Sequence, residues 1–140
     1  MHELVKIYRE ELARAEHDLA TREILGKFHI YISDSFERAV REATPYMENY
    51  HAAHAAADPS RKLAHHDLAS DMARGFIIVG DPERCADTVR RWREEAGLTI
   101  FSGTFHFGGM PQELALKNIR LFAERVMPAF TASDKQPAIA

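Results

Sequence analysis

Residues 99–110 read TIFSGTFHFGGM and run directly into Pro111-Gln112-Glu113-Leu114. Thr99, Ile100, Phe101, Thr104, Phe105 and Phe107 carry branched or aromatic side chains, which fit a pleated surface. Alternation puts Ile100, Ser102, Thr104 and His106 on one face of this strand, and Phe101, Phe105 and Phe107 on the other. Gly108 and Gly109 allow the positive φ of a tight turn. Pro111 suits the first position of a helix, where no N–H is needed. A strand, a glycine turn and a helix start therefore follow one another directly. Such a junction aims free N–H groups and the positive end of a helix at one point, a seat for a phosphate or carboxylate. The same residues also describe a plain βα turn that binds nothing.

Working back from this junction, the chain alternates helices with short strands. Val5, Tyr8, Leu12, Ala15 and Leu19 recur at helical spacing, and Gly26 offers a stop. Phe28, Ile30 and Ile32 alternate with His29, Tyr31 and Ser33 as on the two faces of a strand. Asp34 followed by Glu37 resembles a capping box. It opens a helix with the inner stripe Phe36, Val40, Met47 and Tyr50, which Pro45 kinks or splits. The alanine- and histidine-rich stretch 51–58 reads as a mobile, solvated segment. A short helix over 61–73 turns Leu63, Leu68 and Met72 inward and ends at Gly75. Phe76-Ile77-Ile78-Val79 is a strand or a buried lead-in. Asp81 caps a helix with Pro82 first and Cys85, Val89, Trp92 and Ala96 as its inner stripe. A last helix over 111–126 buries Leu114, Ile119, Leu121 and Phe122 and stops at Pro128. The order β-α-(α)-β-α-β-α favours parallel strands joined by crossovers. Residues 1–130 form one domain, and 131–140 read as a loose tail.

Composition sets limits. Of 140 residues 46% are hydrophobic, enough for one core. The net charge of −3, from 18 basic and 21 acidic residues, gives no reason to expect nucleic acid. The single Cys85 excludes an internal disulfide and suits a reducing cytoplasm. The start MHELVKIYREE is too charged for a secretory signal. No apolar run approaches the ~20 residues of a membrane span. A cytoplasmic α/β protein is expected.

Two further groups of residues could carry chemistry. Gly80 and the helix start behind it could hold an anion, but Asp81 caps that helix itself and repels phosphate. His51, His54, His65 and His66 stand near Asp58, Asp67 and Asp71, and His51 and His54 share a helix face at metal-ligand spacing. No cysteine or HExxH pattern joins them, so no metal site is assigned. Cys85 reads as a small buried residue and not as a nucleophile.

Several motifs recur together in one known family. Gly80-Asp81-Pro82-Glu83 opens a helix and Glu94-Glu95-Ala96-Gly97-Leu98 leads into a strand. Phe105-His106-Phe107-Gly108-Gly109-Met110-Pro111 follows, and Leu121-Phe122-Ala123-Glu124-Arg125-Val126-Met127-Pro128 closes the run. In order and spacing, residues 80–130 resemble the C-terminal end of the luciferase-like monooxygenases, TIM barrels that use flavin or a deazaflavin. A looser likeness extends back through His29-Ile30-Tyr31-Ile32-Ser33 to the start. The resemblance implies an α/β fold of partial TIM-barrel type, the last βα units with few parallel strands and several helices. It implies oxidation of a small organic substrate with reduced flavin and O2, the cofactor being FMN or F420. It places His106, Gly108 and Gly109 as cofactor-binding residues at the C-terminal end of a strand, where barrel enzymes build their sites. No general base or nucleophile can be named.

A complete barrel takes about 250 residues, so this chain is expected to hold only a part of one. A partial barrel leaves strand edges and apolar surface open, and a second copy or a partner subunit is expected to cover them. The alternative is a binding or oligomerisation module derived from the barrel and without its chemistry.

Overall fold

The computed structural model describes residues 2–58 and 67–131. Its centre is a three-stranded parallel sheet of β1 (Leu25–Ile32), β2 (Ile77–Gly80) and β3 (Ile100–Thr104), in the order β2-β1-β3. β2 pairs with the second half of β1, His29 opposite Ile77 and Ile32 opposite Gly80. β3 pairs with the first half, Leu25 opposite Ile100 and His29 opposite Thr104. The helices are α1 (His2–Arg14), α2 (Phe36–Ala57), α3 (Leu68–Ala73), α4 (Pro82–Ala96), α5 (Gln112–Leu121) and α6 (Pro128–Thr131). Among the described residues, no helix is long and apolar enough to cross a membrane.

Strand alternation in β1 divides the core as expected. Phe28, Ile30 and Ile32 meet Ile78 and the α4 stripe of Cys85, Val89, Trp92 and Ala96, all buried. Tyr31 on the opposite face meets Ile77, Val79 and the α2 residues Ala39, Ala43 and Met47. The first crossover helix thus covers one face and the second covers the other.

Several boundaries differ from the sequence reading. The first helix ends at Arg14, and Glu16 takes the left-handed conformation at φ 57°. Gly26 is no helix stop; it lies inside β1, where a Cβ would fall 2.4 Å from Leu98 and 2.7 Å from Phe28. Ser35, not Asp34, caps α2, its side chain accepting from the Arg38 N–H at 3.2 Å. α2 runs unbroken through Pro45 and through the histidine-rich stretch to Ala57. Pro45 and Arg41 are both exposed, so water can serve the carbonyl that proline leaves unpaired. The expected helix over 61–73 is seen as α3; residues 59–66, with Leu63, His65 and His66, lie outside the described residues, as do 132–140 of the expected tail. Asp81 caps α4 and Pro82 follows it, as read.

At the far end, Pro111 is the N-cap of α5 and not its first residue. Ile119 is exposed instead of buried. The helix widens into a π turn over Phe122–Val126, closed by Met127 N–H to the Phe122 carbonyl, and Val126 is fully buried. β3 ends at Thr104, and the alternation continues through Phe105 before it breaks. Phe101 and Phe105 stay on the α4 side against Phe122, while Phe107 crosses to the α2 side.

Candidate functional site

Parallel sheets bind ligands at the C-terminal ends of their strands, where the chain order reverses. In the order β2-β1-β3 that place lies between the ends of β1 and β3. β1 ends in Ser33-Asp34-Ser35 and β3 leads into residues 105–111.

The end of β1 carries a closed polar network. Tyr31 and Ser33, both buried, donate to one oxygen of Glu42 at 3.2 and 2.9 Å. Arg38 donates to the other at 2.7 Å and to Asp34 at 2.6 Å. Burial alone would raise the Glu42 carboxyl, but the bonds from Arg38 and Ser33 outweigh it and hold it below its ordinary value. Burial, with the facing Glu42 carboxylate second, pushes the Tyr31 hydroxyl well above its own. Both carboxylate oxygens are engaged, so the group positions the start of α2 and is not a ready proton acceptor. The sequence reasoning missed this network; its signal was the spacing of Asp34, Arg38 and Glu42 at i, i+4 and i+8.

The β3 junction has the expected form. Gly108 and Gly109 have φ of 59° and 73°, and Met110 N–H donates to the Phe107 carbonyl at 3.1 Å. Two successive positive φ values mark a primed turn. The two glycines differ in their surroundings. A Cβ on Gly108 would fall 1.7 Å from the Tyr46 carbonyl oxygen, and Asn49 donates to the Gly108 carbonyl at 3.3 Å. Gly108 is therefore a packing glycine against α2. Gly109 faces open space, with nothing within 4 Å of a built Cβ. His106 is exposed beside the turn. Leu114 and Ala115 N–H both return to the Pro111 carbonyl, and no side chain caps α5.

One residue between the two ends was not foreseen. Asn118 of α5 is fully buried and accepts from the Ile32 N–H at 2.5 Å, while donating to the Leu114 carbonyl at 2.9 Å. It stands where β3 has stopped pairing and satisfies the backbone of β1 in its place.

The other sequence candidates resolve differently. Asp81 accepts from Arg84 N–H at 3.0 Å, which is the capping role. His51 bonds to fully buried Asp71 at 2.6 Å, and Arg74 reaches the other carboxylate oxygen at 2.6 Å. His54 turns back to the Tyr50 carbonyl, and Asp67 caps α3. Among the described residues no three potential ligands gather as a metal would need. Cys85 is buried, and burial pushes its thiol up to about 12. His29 is buried against Tyr50, Phe76 and Phe107, and burial holds its imidazole below the ordinary value. A cleft of about 290 Å³, lined by Tyr8, Arg9, Leu12, Ile24, Gly97 and Thr99 among others, sits at the opposite end of the strands.

The fold and the polar strand ends define a parallel α/β unit of the kind that builds TIM barrels. The family model for luciferase-like monooxygenases matches residues 1–99, and the chain belongs to that family. The matched span takes in Gly80-Asp81-Pro82-Glu83 and the 94–98 run and stops before residues 105–111. The monooxygenase RslO1 from Streptomyces bottropensis is 21% identical with a TM-score of 0.59, over 91% of this chain and 37% of that one. Riboflavin lyase RcaE, solved with modified FMN and riboflavin, is 21% identical with a TM-score of 0.58, over 91% and 35%. The oxygenating constituent of 3,6-diketocamphane monooxygenase from Pseudomonas putida, solved with FMN, is 17% identical with a TM-score of 0.57, over 88% and 38%. The chain thus spans little more than a third of the length of these structures. No curated protein matches its sequence.

Proposed function

We propose that this chain supplies the C-terminal βα units of a luciferase-like flavin-dependent monooxygenase, acting on a small organic substrate with reduced flavin and O2. The observation that carries the reading is the family match across 1–99. The open flank of Gly109 and the uncapped start of α5 suit a phosphoryl group. The adjoining sheet face does not suit an isoalloxazine ring, because Tyr31, Met47, Phe107 and Met110 are packed together there. The chain therefore fits the phosphate end, with His106 and Gly109 at the rim and Gly108 holding the turn against α2, and the ring needs surface that these residues do not supply. Reduced flavin, when bound, supplies the electrons and the centre for oxygen activation. This chain's part is to hold and orient.

One observation favours a second reading, a non-catalytic module derived from the barrel. A barrel keeps one face of its sheet free of helices, whereas here α2 and α4 cover both. Equilibrium dialysis of FMN, and separately of F420, against a sample of mass known from light scattering decides between them. Saturable binding supports the enzyme part; none up to high micromolar flavin leaves the module.

A further inference from the structure

We propose that two copies of this chain pair along the outer edge of β3, antiparallel about a two-fold axis at Gly103. It commits to a second copy where a second copy or a partner subunit was expected, and it does not depend on flavin binding.

β3 is the outermost strand on its side, and β1 is its one partner among the described residues. Gly103 is exposed and the rest of the strand is only half-buried. Ile100 donates its N–H inward to Ile24. Backbone groups alternate along a strand, so those of Phe101, Gly103 and Phe105 point outward. Free edges are commonly blunted by lysine, proline or other charge. β3 has none of these: from Gly97 to Phe105 the chain carries neither charge nor proline.

The run Phe101-Ser102-Gly103-Thr104-Phe105 reads nearly alike in both directions. With the axis at Gly103, Phe101 lies opposite Phe105 of the partner subunit and Ser102 opposite Thr104 of the partner subunit. Aromatic pairs and hydroxyl pairs are among the favourable cross-strand combinations. The outward-pointing residues are also the ones that exchange backbone bonds in this register. A neutral edge meets a neutral edge, so no ion loses its water, and the net charge of −3 resides elsewhere. An isologous contact of this kind closes after two copies. It gives one continuous sheet of six strands, three from each copy.

Light scattering over a range of concentrations tests the pairing. The wild-type chain is expected as a dimer. Ser102→Glu with Thr104→Glu sets like charges opposite each other and should weaken the dimer at least about tenfold. Ser102→Glu with Thr104→Lys sets opposite charges in both pairs and should restore it. Ser102→Cys with Thr104→Cys gives a readout free of charge effects, an intersubunit disulfide under mild oxidation. A wild-type monomer at every concentration overturns the proposal, as does a dimer indifferent to these changes or a strand that fails to cross-link. A mixed complex with a different polypeptide on this edge also overturns it. Flavin binding measured by dialysis on the same samples keeps failure of the pairing distinct from failure of the flavin reading.

Discussion

Gly108 and Gly109 are adjacent and share left-handed backbones, yet they do different work. Gly108→Ala has to place a methyl group against the Tyr46 carbonyl and should cost at least about 2 kcal/mol beyond the backbone penalty. Gly109→Ala meets only the left-handed penalty of about 1–2 kcal/mol. Urea unfolding of both variants measures the gap, and equal losses would contradict the packing role. The sequence showed that both glycines allow a positive φ and not what Gly108 packs against, because its partner Tyr46 lies on a helix far away in the chain. His29 carries a pH dependence. Its folded pKa lies below the ordinary 6.5, so the unfolded chain binds a proton first as pH falls. Its share of stability is whole above 6.5 and is lost as pH drops through the folded value. His29→Phe should keep the aromatic contacts and flatten the fall in stability below pH 6.5. Parallel wild-type and variant curves would refute it.

At the scale of elements, the strands and the amphipathic α4 were legible because their periods are short and complete. The α4 stripe and both faces of β1 are buried as the spacing requires. Less was legible where one element answers to another. α2 tolerates Pro45 because that turn faces solvent, a fact of tertiary position. The π turn brings Val126 into the core, shifting the register that a plain helical period gives. Asn118 is a polar residue on the buried side of α5 with Ala115, and its partner on β1 could not be read from α5. Asn118→Leu strands the Ile32 N–H in the interior, at a cost of about 1–3 kcal/mol. Hydrogen exchange locates the effect: Ile32 should lose protection before the amides of α4. Uniform loss through the sheet would mean that the bond has no local role.

At the scale of the whole molecule, the chain has parallel strands with helical crossovers, belongs to the luciferase-like family and spans a little over a third of the length of its solved neighbours. The family was legible in the order of short motifs. The strand order was not, since β3 joins β1 through contacts distant in sequence. Nor was the covering of both sheet faces, which decides how much of a cofactor this chain alone can meet. In the proposed function, the turn after β3 seats the phosphate end of a flavin nucleotide and not its ring. Parallel titrations with FMN and riboflavin, which differ only in that phosphate, test it most directly. Saturable FMN binding is expected, with riboflavin at least about tenfold weaker, because losing the phosphate loses its charge-assisted bonds. Equal binding of the two, or binding of neither, would contradict it.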